Sequence, residues 1–421
     1  MKKTIPLFVV LIIAFFSCSK EYHHYSGYQD TSDDKNAIRD LAKAEIWAEK
    51  SLALLGPQTK NGAPIRTIES HEIVLSPGTK TGFSPSDTLL YVFNFEDSSG
   101  FSIIAANENV APIVGIAEKG HFTNGRSSGV GGFDLYLEGL LERLSSDRGP
   151  GQPFSWYEDV MVGDSVDRNV GVKWGQRDIY GHYCPNHIAG CDPITIAQII
   201  CYHENPSSFV ASLNMESDFL AGETVLLDWT GIKTHVAYHY WPSSCNPYHN
   251  TIGALIREIG YAANTDYSDS TKSTTFLSEV PGAFSHFGYN TSSPSTVNTL
   301  SLKSCIKTFG PVYMRGDRVD NNMLHGHSWV ADGYKDFAYY HNGYSWAGAG
   351  DEPILFEHTL IRESHVLHIN WGWNGDSNGY FNFGIYDIDE ATIYDDGHYT
   401  HDRNYNTNVK MIAIYPINPY L

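Results

Sequence analysis

Residues 190–203 of the chain read Gly-Cys-Asp-Pro-Ile-Thr-Ile-Ala-Gln-Ile-Ile-Cys-Tyr-His. Proline is tolerated in the first turn of a helix, where its missing N–H would have no partner, so Pro193 is compatible with a helix that starts at Cys191. Small or apolar side chains then recur at helical spacing on one face, at Ile194, Ala197 and Cys201. The stretch therefore predicts an apolar helix whose first residue is Cys191.

A cysteine at the start of a helix is a candidate nucleophile, because the helix N-terminus favours thiolate over thiol. Such a thiol needs a histidine, and His327 lies in the later segment Gly326-His327-Ser328-Trp329-Val330. An imidazolium near the sulfur lowers the cysteine pKa further and can give its proton to a leaving amine. His325 is the alternative base, since residues two apart on a strand face the same side. The pair predicts acyl transfer by Cys191, and the alternative is a buried structural cysteine.

The chain divides into two predicted units of mixed helix and strand, because 421 residues exceed one ordinary core. Residues 36–147 form the first unit, with a helix over about 37–55 and a second helix near its end. Three strands lie between these helices, at 90–95, 101–106 and 113–117. In residues 171–421 the predicted helices come first and the predicted strands come later. This order predicts a second α+β unit with a cleft between its halves. A Gly/Pro-rich start marks residues 148–170 as an exposed linker.

The N-terminus has the pattern of an export signal. Two lysines precede an apolar run over Ile5–Phe16, which is too short for a permanent membrane span but has the length of a signal-peptide core. A serine and Cys18 follow, as in a bacterial lipoprotein box. We therefore predict a signal peptide over 1–18, lipidation of Cys18 and a polar tether over 19–35. The protein is expected on the outer surface or the periplasmic face of a bacterial membrane, with plain secretion as the alternative.

Charge and composition argue against several classes of function. The chain has 28 Lys and Arg against 48 Asp and Glu, a formal net charge of −20. Nucleic acid is therefore not expected as a partner, because phosphate binding needs a basic face. Four side chains close in sequence have metal-binding chemistry: His182, Cys184, His187 and Cys191. Zinc needs four converging ligands, and this group includes the candidate nucleophile, so we predict no metal. No phosphate loop or dinucleotide motif occurs, and no cofactor is expected.

Four segments in series over residues 171–415 resemble the streptopain family of cysteine peptidases. The first two are Trp174-Gly175-Gln176 with Cys184-Pro185, and Gly190-Cys191 with Ala197-Gln198-Ile199, Tyr202-His203 and Pro206. The last two are Gly310-Pro311-Val312 and Arg315-Gly316 ahead of the segment from Gly326 to Tyr334, and Asn370-Trp371-Gly372-Trp373-Asn374-Gly375 with Gly379-Tyr380-Phe381. The N-terminal unit resembles the family's inhibitory pro-region through Tyr91–Phe95 and Gly100–Ala106.

The resemblance implies an α+β fold, in which a papain-like cysteine peptidase domain follows a small α+β inhibitory pro-domain. Its implied site residues are Cys191 as nucleophile, His327 as general base and then acid, Gln176 as oxyanion-hole donor, Asn370 as the group that orients the imidazole, and Trp371 and Trp373 as screens against water. The implied function is an exported zymogen cysteine endopeptidase that hydrolyses peptide bonds through a thioester. Its partners would be protein or peptide substrates and its own pro-domain, with activation cleavage within 148–170.

The same residues are compatible with other functions. The chain departs from the family pattern at Asp192-Pro193, at Cys201 and at Ser328-Trp329, although no catalytic group is lost. A surface lipoprotein could keep the fold as a non-catalytic binding module, or use its N-terminal unit as a peptidase inhibitor. A transpeptidase or an amidase could use the same cysteine and histidine.

Overall fold

The computed structural model describes residues 38–56, 66–76, 87–108, 110–124, 128–146, 159–167, 170–235, 247–320, 323–345, 354–382 and 407–416. All of them belong to one compact unit, Lys35–Leu421. The predicted signal peptide at 1–18, the tether at 19–35 and the lipidation site Cys18 lie outside the described residues.

The described helices are α1 (Leu41–Ser51), α2 (Gly131–Ser146), α3 (Cys191–His203), α4 (Trp229–His235), α5 (Pro247–Ala262), α6 (Val280–His286) and α7 (Thr299–Phe309). The described strands are β1 (Ile68–Leu75), β2 (Thr88–Phe95), β3 (Phe101–Ala105), β4 (Ile113–Ala117), β5 (Asp159–Val166), β6 (Ser208–Val210), β7 (Thr224–Leu226), β8 (Tyr289–Thr291), β9 (Ser295–Thr296), β10 (Val312–Asp320), β11 (Met323–Ser345), β12 (Ile354–Asn370), β13 (Gly379–Asn382), β14 (Thr407–Ile412) and β15 (Ile414–Pro416). None of the described helices is long and apolar enough to span a membrane.

One large antiparallel sheet runs through both predicted units. Its strand order is β1-β2-β3-β4-β13-β12-β11-β10-β14-β9, and β5 also pairs with β11. The junction is the pairing of β4 with β13, where Ile116 is opposite Tyr380. The fold is therefore mixed α+β, as predicted, and the N-terminal unit is joined to the C-terminal one by a continuous sheet.

The two helices of the N-terminal unit cover opposite faces of this sheet. Trp47 of α1 packs with Phe93 and Ile104 on one face, whereas Leu140 of α2 packs with Val92 on the other. Because successive residues of a strand point to opposite faces, β2 is buried along its whole length. The predicted strands of this unit are all present.

Helix α1 begins later than the predicted start near residue 37. Asp40 has an extended backbone conformation and its side chain accepts a hydrogen bond from Lys43 N at 2.8 Å. This is an N-cap, so the helical residues start at Leu41.

Strand β5 departs from the predicted organisation, because it occupies part of the segment predicted to be an exposed linker. It pairs with β11, where Val166 is opposite Tyr334. Valines at 160, 162 and 166 favour an extended strand, but acidic and small residues between them hide the pattern. Residues 147–158, where a cleavage was also predicted, lie outside the described part.

Helix α3 is the centre of the C-terminal core. Its side chains from Asp192 to Cys201 are all buried. It packs against the predicted second helix, α5, whose Ile252, Ile256 and Ile259 are fully buried. The apolar sequence that follows Cys191 therefore fixes the position of the candidate nucleophile within the fold.

Candidate active site

Cys191 is the first residue of α3, as the sequence predicts. Gly190 precedes it with a φ of 89°, in the left-handed region that favours glycine. A Cβ at this position would lie 3.2 Å from the Cβ of Ser273. Glycine therefore lets the chain enter the helix close to a neighbouring loop, and it leaves the thiol at the positive end of the helix dipole.

The thiol of Cys191 is neutral in this conformation. Its Sγ donates a hydrogen bond to Asp192 Oδ2 at 3.6 Å. Burial raises the pKa of the thiol to about 12, and the Asp192 charge acts in the same direction. The Arg315 charge and hydrogen bonds from Ser328 act against these effects.

Asp192 itself belongs to a buried ion pair. Arg315 Nη1 donates to its two carboxylate oxygens at 3.2 and 3.3 Å. The hydroxyl of Tyr313 donates to Oδ1, and Arg315 Nη1 also donates to the Thr275 carbonyl at 2.8 Å. The carboxylate that the sequence places beside the nucleophile is therefore paired and hydrogen-bonded, as a buried charge must be.

Strand β11 carries His327 to the nucleophile helix. Its partner β10 is in register with Gly316 opposite His327. The next residue, Ser328, is fully buried against α3, and its Oγ lies 3.2 Å from Thr195 Oγ1. The structure thus brings together the cysteine and histidine segments that the sequence singled out.

His327 is buried and bonded to the backbone. Its Nε2 donates to the Trp371 carbonyl at 3.2 Å. A carbonyl only accepts, so Nε2 carries the proton and Nδ1 holds the lone pair of the neutral ring. Burial lowers the pKa of His327 to about 4, although the Trp371 bond and the Asp192 charge oppose this. Among the described hydrogen bonds, none joins this ring to Cys191.

The two tryptophans of the predicted site take different positions. The Trp373 ring lies 6.4 Å from the His327 ring, measured between centroids, at an interplanar angle of 33°. The Trp371 ring is buried towards the N-terminal unit, where it lies 6.4 Å from the Phe133 ring. Its Nε1 donates to the Ser377 carbonyl at 2.9 Å. Screening of the site from water stays a prediction for both.

The N-terminal end of α2 packs against the side chain of His327. A Cβ built on Gly131 would lie 3.6 Å from His327 Nδ1, and one built on Gly132 would collide with His327 Cδ2 and Trp371 Cε3. Two glycines therefore bring the backbone of the N-terminal unit against the imidazole. The ring nitrogen that holds the lone pair faces this helix.

Gln176 lies beside the segment that leads to Cys191. Its backbone carbonyl accepts from Ala189 N at 2.8 Å. Its side-chain Nε2 is buried, and no hydrogen-bond partner for it occurs among the described residues. Buried donors are normally paired, so an unpaired amide on a residue whose backbone bonds to Ala189, two positions before Cys191, is in keeping with a donor reserved for a developing oxyanion. The oxyanion-hole role stays a prediction.

The side chain of Asn370 has other partners than His327. Its Nδ2 donates to the Val172 carbonyl and to Gln198 Oε1, both at 2.9 Å. Its Oδ1 accepts from Gly372 N at 3.1 Å. In this structure the contact to His327 that was predicted for Asn370 is made by the carbonyl of the following residue. Asn370 instead ties α3, the end of β12 and the segment before the nucleophile together.

The other candidates of the sequence analysis do not gather into a second site. Within the described part, no three His, Cys, Asp or Glu side chains are close enough to hold a metal ion. Cys184 Sγ donates to the Tyr267 hydroxyl at 3.7 Å. The side chain of His325, the alternative base, lies outside the described residues.

Sequence reasoning missed three contributors to this site: Tyr313, Arg315 and the glycine pair that starts α2. Asp192 stands at the start of an apolar helix and Arg315 directly follows the apolar run from Pro311 to Met314. Opposite charges at such positions are a detectable signal, since charged residues are buried only when paired. Tyr313 has no sequence signal that distinguishes it from an aromatic core residue. The contact of the glycines with His327 depends on tertiary packing alone.

Comparison with known families assigns both units. The model described as the Peptidase C10 family matches residues 174–352, which include Cys191 and His327. The model described as the Spi protease inhibitor matches residues 38–138, which include α1 and the start of α2. The C-terminal unit of the chain carries a peptidase C10 domain. This C10 peptidase is therefore a cysteine peptidase preceded by an inhibitory pro-region, which is the organisation of a zymogen.

Known relatives of this C10 peptidase agree with that assignment. Streptopain of Streptococcus pyogenes serotype M28 is 24% identical over 358 residues, which are 76% of this chain and 85% of that protein. The thiol protease/hemagglutinin PrtT of Porphyromonas gingivalis is 21% identical over 354 residues, 75% of this chain and 36% of that protein. A solved fragment of prointerpain A from Prevotella intermedia matches with a TM-score of 0.50 at 16% identity, over 83% of this chain and 100% of that chain. The predicted fold class, a papain-like domain with a pro-domain, is confirmed.

Proposed function

We propose that the chain is an exported zymogen endopeptidase with Cys191 as nucleophile and His327 as general base and then acid. The observation that carries the proposal is the closure of His327 by the start of α2, a helix of the inhibitory pro-region. Inhibition by covering a histidine is effective when that histidine is needed for the reaction. Gln176, whose backbone bonds to the segment before Cys191 and whose buried Nε2 has no partner among the described residues, supports the same assignment.

Removal of α2 would leave the groups required for acyl transfer. His327 Nδ1 accepts the thiol proton, and the Cys191 thiolate attacks the carbonyl carbon of the substrate. The Cys191 N–H and Gln176 Nε2 stabilise the oxyanion of the tetrahedral intermediate. The C–N bond then breaks and the imidazolium gives its proton to the leaving amine. Water, deprotonated by His327, hydrolyses the thioester and restores the thiol.

The closed form is inactive for an electrostatic reason as well as a steric one. Burial is the largest cause both of the raised pKa of Cys191, about 12, and of the lowered pKa of His327, about 4. The closed form therefore holds a neutral thiol and a neutral imidazole, whereas an active nucleophile is a thiolate. Water that enters when the pro-region leaves removes that cause for His327, whose ring the start of α2 covers.

A processing experiment tests this function. The purified full chain is incubated with a reductant, and its mass is followed with and without an epoxide-type thiol-peptidase probe. We expect a shortened product whose Cys191 carries one probe, and no shortening of Cys191→Ala. Self-processing by Cys191→Ala would refute the assignment of the nucleophile. An intact Cys191 that never reacts with the probe would favour a binding module or a peptidase inhibitor, and transfer of the acyl group to an added amine would favour a transpeptidase.

Export and lipidation of Cys18 are a separate part of the proposal, supported by the lysine-flanked apolar run at the N-terminus. Metabolic labelling with a fatty-acid analogue tests it in cells that express the full chain. We expect label in the membrane fraction of the wild type and none in Cys18→Ala. Unlabelled protein in the medium would favour plain secretion.

A further inference from the structure

We propose that Asp192, Arg315 and Tyr313 form a positioning unit for the nucleophile, in which Arg315 neutralises the carboxylate beside the thiol and so permits Cys191 to ionise. The inference rests on the proposed function, because it takes Cys191 as the nucleophile. In the sequence, the nucleophile and the carboxylate directly after it oppose each other. A carboxylate directly after the nucleophile opposes thiolate formation, yet the chain keeps Asp192 at this position.

In the structure, Asp192 is paired with Arg315 and Tyr313 in a cluster that is buried from solvent. The exposed fractions are 2% for Asp192, 6% for Arg315 and 0% for Tyr313. Arg315 Nη1 contacts both carboxylate oxygens, at 3.2 and 3.3 Å, and Tyr313 donates its hydroxyl to Oδ1. The guanidinium of Arg315 therefore lies against this carboxylate, one residue from the thiol.

The cluster also fixes where the thiol stands. Tyr313 and Arg315 lie on β10, which pairs with the strand that carries His327. Their bonds to Asp192 therefore tie the first turn of α3 to that pair of strands. Asp192 Oδ2 in addition accepts the Cys191 thiol hydrogen at 3.6 Å. A thiolate has no hydrogen to donate, so ionisation releases Sγ from Asp192 and leaves it available to an imidazolium.

Few other charges act on the thiol. The groups that act on Cys191 from the elements packed around it are Asp192 on α3, Arg315 and Tyr313 on β10, and Ser328 on β11. Asp134 of α2 acts on His327, and it would leave with the pro-region. Among the described residues, the ion pair therefore supplies the two fixed charges that influence Cys191.

The test is the rate at which iodoacetamide alkylates Cys191 in the full-length chain, followed by mass spectrometry at a pH where the thiol is mostly neutral. In that range a shift of one unit in the thiol pKa changes the rate about tenfold, and one adjacent charge shifts a pKa by about one unit or more. We expect Arg315→Gln to react about tenfold or more slowly than the wild type. Asp192→Asn should react about tenfold or more quickly, because the negative charge beside the thiol is removed and the Arg315 charge is kept. Arg315→Lys keeps the charge and should stay near the wild type.

The double variant Asp192→Asn/Arg315→Gln is decisive, since it removes both charges and returns the rate towards the wild type. Cys305, a partly buried thiol on α7, serves as the control within each molecule, and its rate should not change. If single and double variants all react at the wild-type rate, or all change in one direction, the pair is only structural and the inference is wrong. Should Asp192→Asn fail to fold, Arg315→Gln must still react more slowly than the double variant. The readout needs no catalysis, so failure of the proposed function would be seen separately, as self-processing by Cys191→Ala.

Discussion

Gly132 of α2 packs its backbone against the imidazole of His327, in a space that would not hold even a methyl group. A Cβ at Gly132 would collide with both His327 and Trp371, whereas a Cβ at the adjacent Gly131 would lie at an ordinary contact distance of 3.6 Å from His327. The two glycines share one helical turn but differ in what surrounds them. They are therefore a matched pair for testing how the pro-region inhibits.

We expect Gly132→Ala to speed self-processing and Gly131→Ala to leave it near the wild-type rate. Both changes improve helix propensity by a similar amount, but only the first forces α2 away from the site. Overpacking of this kind typically costs about 1–3 kcal/mol, which corresponds to an increase of about fivefold to more than a hundredfold in the population of open molecules. The disappearance of the full-length chain on a gel measures the rate. Equal rates for the two variants would show that this contact does not maintain latency.

Replacement of Gln176 should affect the reaction and not the fold. Because Nε2 has no partner among the described residues, Gln176→Ala breaks no side-chain bond, and we expect an unchanged free energy of unfolding. Loss of an oxyanion donor lowers kcat by about a hundredfold or more, with little change in KM. Steady-state kinetics and urea denaturation of the same preparation separate the two effects. Normal kcat in Gln176→Ala would remove this residue from the oxyanion hole.

Replacement of Asn370 is expected to affect the stability of the fold, in contrast to replacement of Gln176. Its amide satisfies the Val172 carbonyl, Gln198 Oε1 and Gly372 N, so Asn370→Ala leaves buried groups unpaired at about 1–3 kcal/mol each. We predict a clear loss in the free energy of unfolding, measured by urea in the Cys191→Ala background. A large loss of kcat in the otherwise unaltered chain, without loss of stability, would instead mean that Asn370 turns to the imidazole in the mature enzyme, as the family resemblance implies.

The parts of the fold that the sequence predicts are those set by local pattern. The apolar run after Cys191 and the branched residues of β2 and β3 each bury along their length, so periodicity identifies them. Strand β5 is not predicted, because its pairing with β11 is a long-range contact and its own residues alternate irregularly between apolar, small and acidic types. Pattern also cannot reveal that β4 and β13 join the two units into one sheet.

Some parts of the candidate site can likewise be predicted from the sequence, and others cannot. The motifs identify Cys191 and His327 because a thiol at a helix start and a histidine in a strand are chemically distinctive. They do not reveal which atom orients the imidazole. A backbone carbonyl at Trp371 makes that contact here, and any residue could supply it. The neutralisation of Asp192 is likewise invisible without the register that brings Arg315 to it.

His327 gives the closed zymogen a predictable response to acid. Its pKa is lowered by burial from 6.5 to about 4. Between these values, a form with an exposed ring binds a proton that the closed form does not bind. The stability of the closed form is therefore complete above pH 6.5 and is lost as the pH falls towards 4. We predict that acid loosens α2 from the peptidase unit.

Hydrogen exchange of the α2 amides from Asp134 onward, the first of which donates to the Val130 carbonyl at 2.9 Å, measures this loosening. It is followed in the Cys191→Ala chain so that no processing occurs. After correction for intrinsic rates, exchange should be faster at about pH 4.5 than at neutral pH, because protonation of His327 favours the open form. His327→Gln in the same background keeps a polar side chain without this titration, and its α2 exchange should depend much less on pH. His203, whose pKa burial also lowers to about 4, titrates in both proteins, so the difference between them isolates His327. Identical acid responses in the two proteins would mean that the start of α2 is not held by contact with a neutral imidazole.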